Sequence, residues 1–257
     1  MILRRITQHV RAQNWFAVGI DFVIVVIGVF IGIQLGNWND ARTNAATEQV
    51  VLGAILDEVE ADLDQLTSAM ESAALATAAS NHLLEAADLK PLTEIKLPVY
   101  NSYLYTDGMP SLEGTSLEAI RGQLWKAIAV RLYPAQSDSA FDGLVSAGNL
   151  SLISDPDLVR ALQRYKALWE PLEISHTNTY RPFRDRLIFV GQKHGLSPFK
   201  GVGEEQLVAL LQSDPELEGA VRTVLEYGVL HWQTLNSLHN NADALAVDLR
   251  RALGRSE

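Results

Sequence analysis

An acid and an amide stand inside the apolar run that opens with Trp15: Asp21 near its start and Gln34 near its end. Glycines recur at Gly28, Gly32 and Gly36. Seven residues make about two helical turns, so Asp21 falls on the same helix face as the glycines. A carboxylate in that setting suits an ion- or proton-coupling subunit, because ionisable groups within membrane helices mark ion paths. Small residues four apart let a second backbone approach closely, and Gln34 would add an interhelical hydrogen bond. The competing role for Asp21 is a boundary marker, since it lies only about 9 Å along the axis from Trp15, within reach of headgroups.

A second group with chemical potential is "NTYRPFRDR", in which Arg181, Arg184 and Arg186 accompany Tyr180 and Phe183. Such arginines could grip an acidic partner or an anionic ligand through paired hydrogen bonds, or be neutralised by acids of their own bundle. Asp57, Glu58, Glu60, Asp62 and Asp64 crowd one stretch. They lack the glycine and closing glutamate of a calcium loop and spread around a helix, so a solvated face is expected rather than a metal site. His176, His194, His231 and His239 are scattered and lack adjacent-turn ligand spacing, and are expected on helix surfaces or boundaries. No nucleophile elbow, P-loop or H-E-x-x-H is present, and "GVGEE" at Gly201 lacks the closing glycine of a dinucleotide fingerprint. No catalytic residue, cofactor or metal is expected.

The elements that would position these groups begin with the apolar run itself. Trp15 to Leu35 carries one charge, matches the ~20 residues that cross a bilayer, and is bounded by Trp15 and Trp38, rings suited to headgroup layers. Its length exceeds the apolar core of a cleaved signal, so an uncleaved anchor over 15–37 is expected. Arg4, Arg5 and Arg11 precede it, whereas only Arg42 follows closely and the next basic residue is Lys90. The positive-inside rule then places an amphipathic arm, 1–14, in the cytoplasm and 38–257 beyond the membrane. A net charge of −10 with no basic stripe argues against nucleic acid, and the absence of cysteine excludes disulfides and thiol chemistry.

The run Val26-Ile27-Gly28-Val29-Phe30-Ile31-Gly32-Ile33-Gln34 followed by Asn37-Trp38-Asn39-Asp40-Ala41-Arg42 resembles the anchor of a bacterial family of single-pass membrane proteins of unknown function, with an acid at the place of Asp21. Phe141 to Leu150, followed by Leu152-Ile153-Ser154-Asp155, is similar to an L-x-S-x-G-N-L-x-L-I hairpin of the same family. The resemblance implies an inner-membrane anchor with a helical outer domain and no assigned activity. Gly32 and Gly36 depart from that pattern, where a residue such as Ala and an Asn are usual.

Beyond the anchor the pattern is helical. Leu52, Leu56, Val59, Leu63, Leu66, Met70 and Ala73 alternate steps of four and three, the seam of a packed helix. Pro91, Pro98, Gly108 and Pro110 break the pattern, and "LPVYNSYLY" could form a short strand. A helix is expected from about 116 to 132, stopped by Pro134, and another near 139–147 with Gly148 as its cap. "SDPDL" at 154 and "SDPEL" at 213 open two more with Asp caps and Pro in the first turn. Pro171 and Pro182 should kink or divide the first. The second carries Leu217, Val221, Val224, Trp232, Leu235, Leu238, Leu245 and Leu249 to the C-terminus. The sequence thus points to an all-α protein: one transmembrane helix and an extracytoplasmic bundle of five or six helices. The function expected is a non-enzymatic scaffold, self-associating or joined to a membrane complex; the alternatives are ion coupling through Asp21 or a ligand-sensing bundle.

Overall fold

The computed structural model describes residues 15–95, 108–111 and 117–255. The proposed cytoplasmic arm and the "LPVYNSYLY" stretch lie outside them. The protein is all-α, with no strand among the described residues. Two compact units divide the chain, Met1–Val50 and Val51–Glu257.

Helix α1, Trp15–Ala86, begins in the first unit and ends in the second. Its amino-terminal part is long and apolar enough to cross a membrane, with a mean hydropathy of 2.2 over its best window and none of that window buried. Ile20, Phe22 and the apolar residues through Leu35 stand exposed. Thr43 and Thr47 return their hydroxyls to the carbonyls of Asn39 and Thr43, which removes their competition with the helix backbone.

In the second unit α1 is followed by a 3₁₀ segment, Leu117–Gln123, then α2 (Leu124–Ala129), α3 (Ser139–Ser146), α4 (Pro156–Ser175), α5 (Arg181–Gln192), α6 (Glu204–Ser213) and α7 (Pro215–Ala252). The helix expected over 116–132 is therefore a 3₁₀ segment and six α-helical residues. The 3₁₀ segment buries no side chain, so no packing favours the α form, whereas Leu124, Trp125, Ile128 and Ala129 are all buried. Gly148 closes α3 at φ +70°, and Asn149 N–H reaches back to the Leu144 carbonyl at 3.0 Å, a Schellman stop. Asp155 and Asp214 each accept two amides of the helix that follows, with Pro156 and Pro215 in the first turn.

Pro171 does not divide α4. Trp169 and Leu172 flank it fully buried, and their packing outweighs one missing backbone hydrogen bond. Before Pro182, by contrast, the backbone widens into a π turn, His176–Tyr180, that joins α4 to α5. A wider turn fits a residue that has no N–H and whose ring crowds the preceding turn.

Two apolar cores result. The first gathers Leu52–Ala69 of α1, Phe141 and Leu144 of α3, Leu158–Leu172 of α4 and Leu235–Leu249 of α7. The second gathers Ala79–Ala87, the α2 residues, Leu187 and Val190 of α5, Leu207 and Leu211 of α6, and Leu217–Val224 of α7. Three long stretches of chain, α1, α4 through α5, and α7, pass from one core to the other. Between the cores their buried residues turn polar: Thr77 on α1, His176 at the π turn, and His231, Gln233 and Thr234 on α7.

Candidate functional site

In the apolar part of α1, Asp21 is exposed and makes no ion pair among the described residues. A Cβ added at Gly28, Gly32 or Gly36 would meet nothing within 4 Å, so this face is open to a second backbone or to lipid. Gln34 on the same helix is exposed too. The structure gathers these residues on one helix and supplies nothing that covers them.

The basic cluster of "NTYRPFRDR" separates. Arg186 turns to Glu216, which also takes Lys193 at 2.6 Å. Arg184 pairs with neighbouring Asp185 at 2.6 Å. Arg181 lies over the Tyr133 ring, 5.2 Å from its centroid, and Arg184 reaches the same ring at 5.9 Å. A cation over an aromatic face is held by the ring quadrupole, so Tyr133 gathers two of the three guanidinium groups and Arg186 belongs elsewhere.

Tyr133 leads inward to the polar waist. Its ring lies 4.8 Å from that of His176 and 5.6 Å from that of His231. The two histidines join Nε2 to Nε2 at 2.9 Å, and both are buried. One ring must donate and the other accept, so the contact needs complementary neutral tautomers. Burial first, then the nearby Arg181 charge, pushes the His176 pKa down to about 4. Burial, Arg131 and His176 push His231 well below the usual histidine value. The surface or boundary placement expected of these histidines is therefore wrong for this pair.

Arg131 completes the group. The Nη edge of its guanidinium abuts Gly228, where an added Cβ would come within 2.7 Å of Nη2. The side chain keeps some surface, but its charged end is desolvated enough to lower the arginine pKa, while nearby Tyr133 and Tyr180 act in the opposite direction. Burial likewise raises the Tyr133 pKa, so its hydroxyl stays protonated. Arg131, Tyr133, Tyr180, Arg184, Tyr227 and His231 line a small cavity of about 20 Å³, room for roughly one water-sized species. The Nδ1 of His231 is buried with no hydrogen-bond partner among the described residues.

Spacing in the sequence contained a signal for these residues. The buried stripe of α7 runs 217, 221, 224, 228, 231, 235, 238, 242, 245, 249 in unbroken steps of four and three. Gly228 and His231 occupy core positions in it, whereas Trp232, expected in the stripe, is only half-buried. On α4 the same stepping, 158, 162, 165, 169, 172, arrives at His176. Arg131 and Tyr133 follow α2 in chain without regular secondary structure and carry no such signal.

The acidic face of α1 also departs from expectation. Asp62 is fully buried, accepting the Ser137 amide at 2.7 Å and the Tyr165 hydroxyl at 2.9 Å. Burial raises its pKa to about 6, against the lowering effect of those hydrogen bonds. Glu58 accepts the Ala140 amide at 2.9 Å at the start of α3, and Glu60 takes Arg250 at 2.8 Å. Only Asp57 and Asp64 of the five stand fully in solvent. No group of three metal-ligating side chains occurs among the described residues. No known family model, curated protein or solved structure matches the chain.

Proposed function

We propose that this protein is a non-enzymatic, membrane-anchored interaction module whose apolar helix packs against another membrane helix, in a second copy or in a partner complex. The observation that carries the reading is the open face of Gly28, Gly32 and Gly36 on a helix of transmembrane length whose apolar side chains are uncovered. In hydrocarbon there is little hydrophobic drive between helices, so close backbone packing at small residues and polar groups such as Gln34 supply the association. The basic residues before Trp15 favour a cytoplasmic N-terminus in a bacterial inner membrane, with residues from 38 onward in the periplasm.

Two measurements test this. A C-terminal fusion to a phosphatase that works only outside the cytoplasm is expected to be active; an inactive fusion would reverse the orientation. Crosslinking of single-cysteine variants along 20–36 is expected to pick out the glycine face, and Gly28→Ile with Gly32→Ile is expected to weaken it. Crosslinks spread evenly around the helix and indifferent to both substitutions would remove the packing role.

A further inference from the structure

The waist between the two cores holds an excess of positive charge that nothing described there neutralises. Arg131, Arg181 and Arg184 surround Tyr133 and the cavity, and the acid beside them is Asp185, exposed and already paired with Arg184. Arg131 and Arg181 form no ion pair with a carboxylate among the described residues. A guanidinium does not shed its proton in proteins, so a desolvated one needs a counter-charge to replace its lost solvation. The two histidines cannot supply it, being neutral and capable only of becoming cations. The cavity beside Arg131 is lined by two arginines, three tyrosines and His231 together with the apolar Ile128, Phe183 and Val224, and by no carboxylate. His231 offers there a buried Nδ1 that nothing else engages.

We infer that the waist binds a small monovalent anion, a halide or the head of a small carboxylate, in the cavity shared by Arg131, Tyr133 and His231. The Arg131 guanidinium supplies the charge and a planar set of donors. Tyr133 supplies a protonated hydroxyl, and an anion beside His231 favours the tautomer with hydrogen on Nδ1, leaving its Nε2 to accept from His176. Tetrahedral sulfate and phosphate are bulkier than a halide or a flat carboxylate head and fit a cavity of about 20 Å³ less well. Gly228 is part of the site: a glycine inside a helix is less stable than an alanine, and here it makes room for the guanidinium. This site is independent of the packing role of the apolar helix.

The full chain in mild detergent is titrated with chloride and with formate, at ionic strength held constant with bulky gluconate, and followed by thermal melting. Either ion is expected to raise Tm with the logarithmic concentration dependence of one-site binding, by about 5 °C at a hundredfold excess over its Kd. Sulfate is expected to give no such dependence. Chloride NMR line broadening on the folded wild type, reversed by formate, reads the same site without any substitution. Arg131→Gln is expected to abolish both signals. Gly228→Ala, which displaces the guanidinium and keeps its charge, is expected to weaken binding at least tenfold, while Arg186→Gln leaves it unchanged. A wild type blind to both ions, or a response that survives Arg131→Gln, would overturn the proposal.

Discussion

Asp62 shows how one atom's surroundings reverse the meaning of a residue type. Its folded pKa, about 6, lies above the ordinary 3.8, so its contribution to stability is full below pH 3.8 and is lost as pH rises through 6. At neutral pH the buried carboxylate is therefore a cost of up to about 3 kcal/mol, since each tenfold change in proton affinity is worth about 1.4 kcal/mol. Asp62→Asn keeps an acceptor for Ser137 N–H and offers Tyr165 a donor. The variant is expected to be more stable than wild type by urea denaturation at pH 7.5, with the gain vanishing at pH 4. Glycines give a sharper contrast. Gly191 sits under Trp125, where an added Cβ would lie 2.4 Å from Cζ2, whereas the Cβ position at Gly219 on α7 is open. Gly191→Ala is expected to lose about 1–3 kcal/mol with a change in tryptophan emission, and Gly219→Ala to gain about 0.5–1 kcal/mol.

At the scale of elements, the starts of α4 and α7 were legible because their chemistry is local. Asp155 and Asp214 cap within three residues, and no distant contact is needed to infer it. Asp155→Ala is expected to cost about 1 kcal/mol, read from the shift in denaturation midpoint. Asp214 also holds His194 at 2.6 Å, and that hydrogen bond, ahead of the Glu216 amide, lowers its pKa. Its contribution is present above the ordinary carboxylate pKa and fades as pH falls, so Asp214→Ala is expected to matter more at pH 7 than at pH 3. Long apolar stripes were legible for the same periodic reason, and so was the all-α class. What failed was the assumption that a polar residue leaves a stripe. His176 and His231 take core positions in the four-three stripes of α4 and α7, Asp62 takes one in the buried run Ile55, Val59, Asp62, Leu66, Ala69, Ala73 of α1, and their partners, Ser137, Tyr165 and each other, lie 55 to 103 residues away. The π turn and the 3₁₀ segment were equally hidden, since both depend on packing around a proline or on its absence.

For the second unit as a whole, two buried polar sites pull stability in opposite directions with pH. Asp62 favours acid conditions. The histidine pair opposes them, because both folded pKa values are depressed: the neutral form contributes fully above pH 6.5, and the His176 contribution is lost as pH falls through about 4. The two effects offset each other between pH 4 and 6, so the wild-type thermal profile is expected to be shallow there. Asp62→Asn removes one side of the balance, and its Tm is expected to fall more steeply than wild type on acidification across that interval. A parallel decline in both proteins would show that the folded Asp62 carboxyl titrates at its ordinary value and contributes nothing to the balance.

The π turn has an arithmetic consequence. Leu172 and Leu187, which pack into different cores, stand fifteen residues apart, one more than two heptads. The widened turn absorbs that surplus residue, so it is equivalent to a one-codon insertion accommodated without disturbing either core. Deleting exposed Asn178 would restore fourteen-residue phase between them. Both cores are then expected to melt together with wild-type cooperativity. Pro182 would lie in ordinary α geometry against the preceding carbonyl, lowering Tm, and Tyr180 would rotate away from His231. Calorimetry and the anion titration on this one shortened chain would separate what the extra residue does for the fold from what it does for the waist.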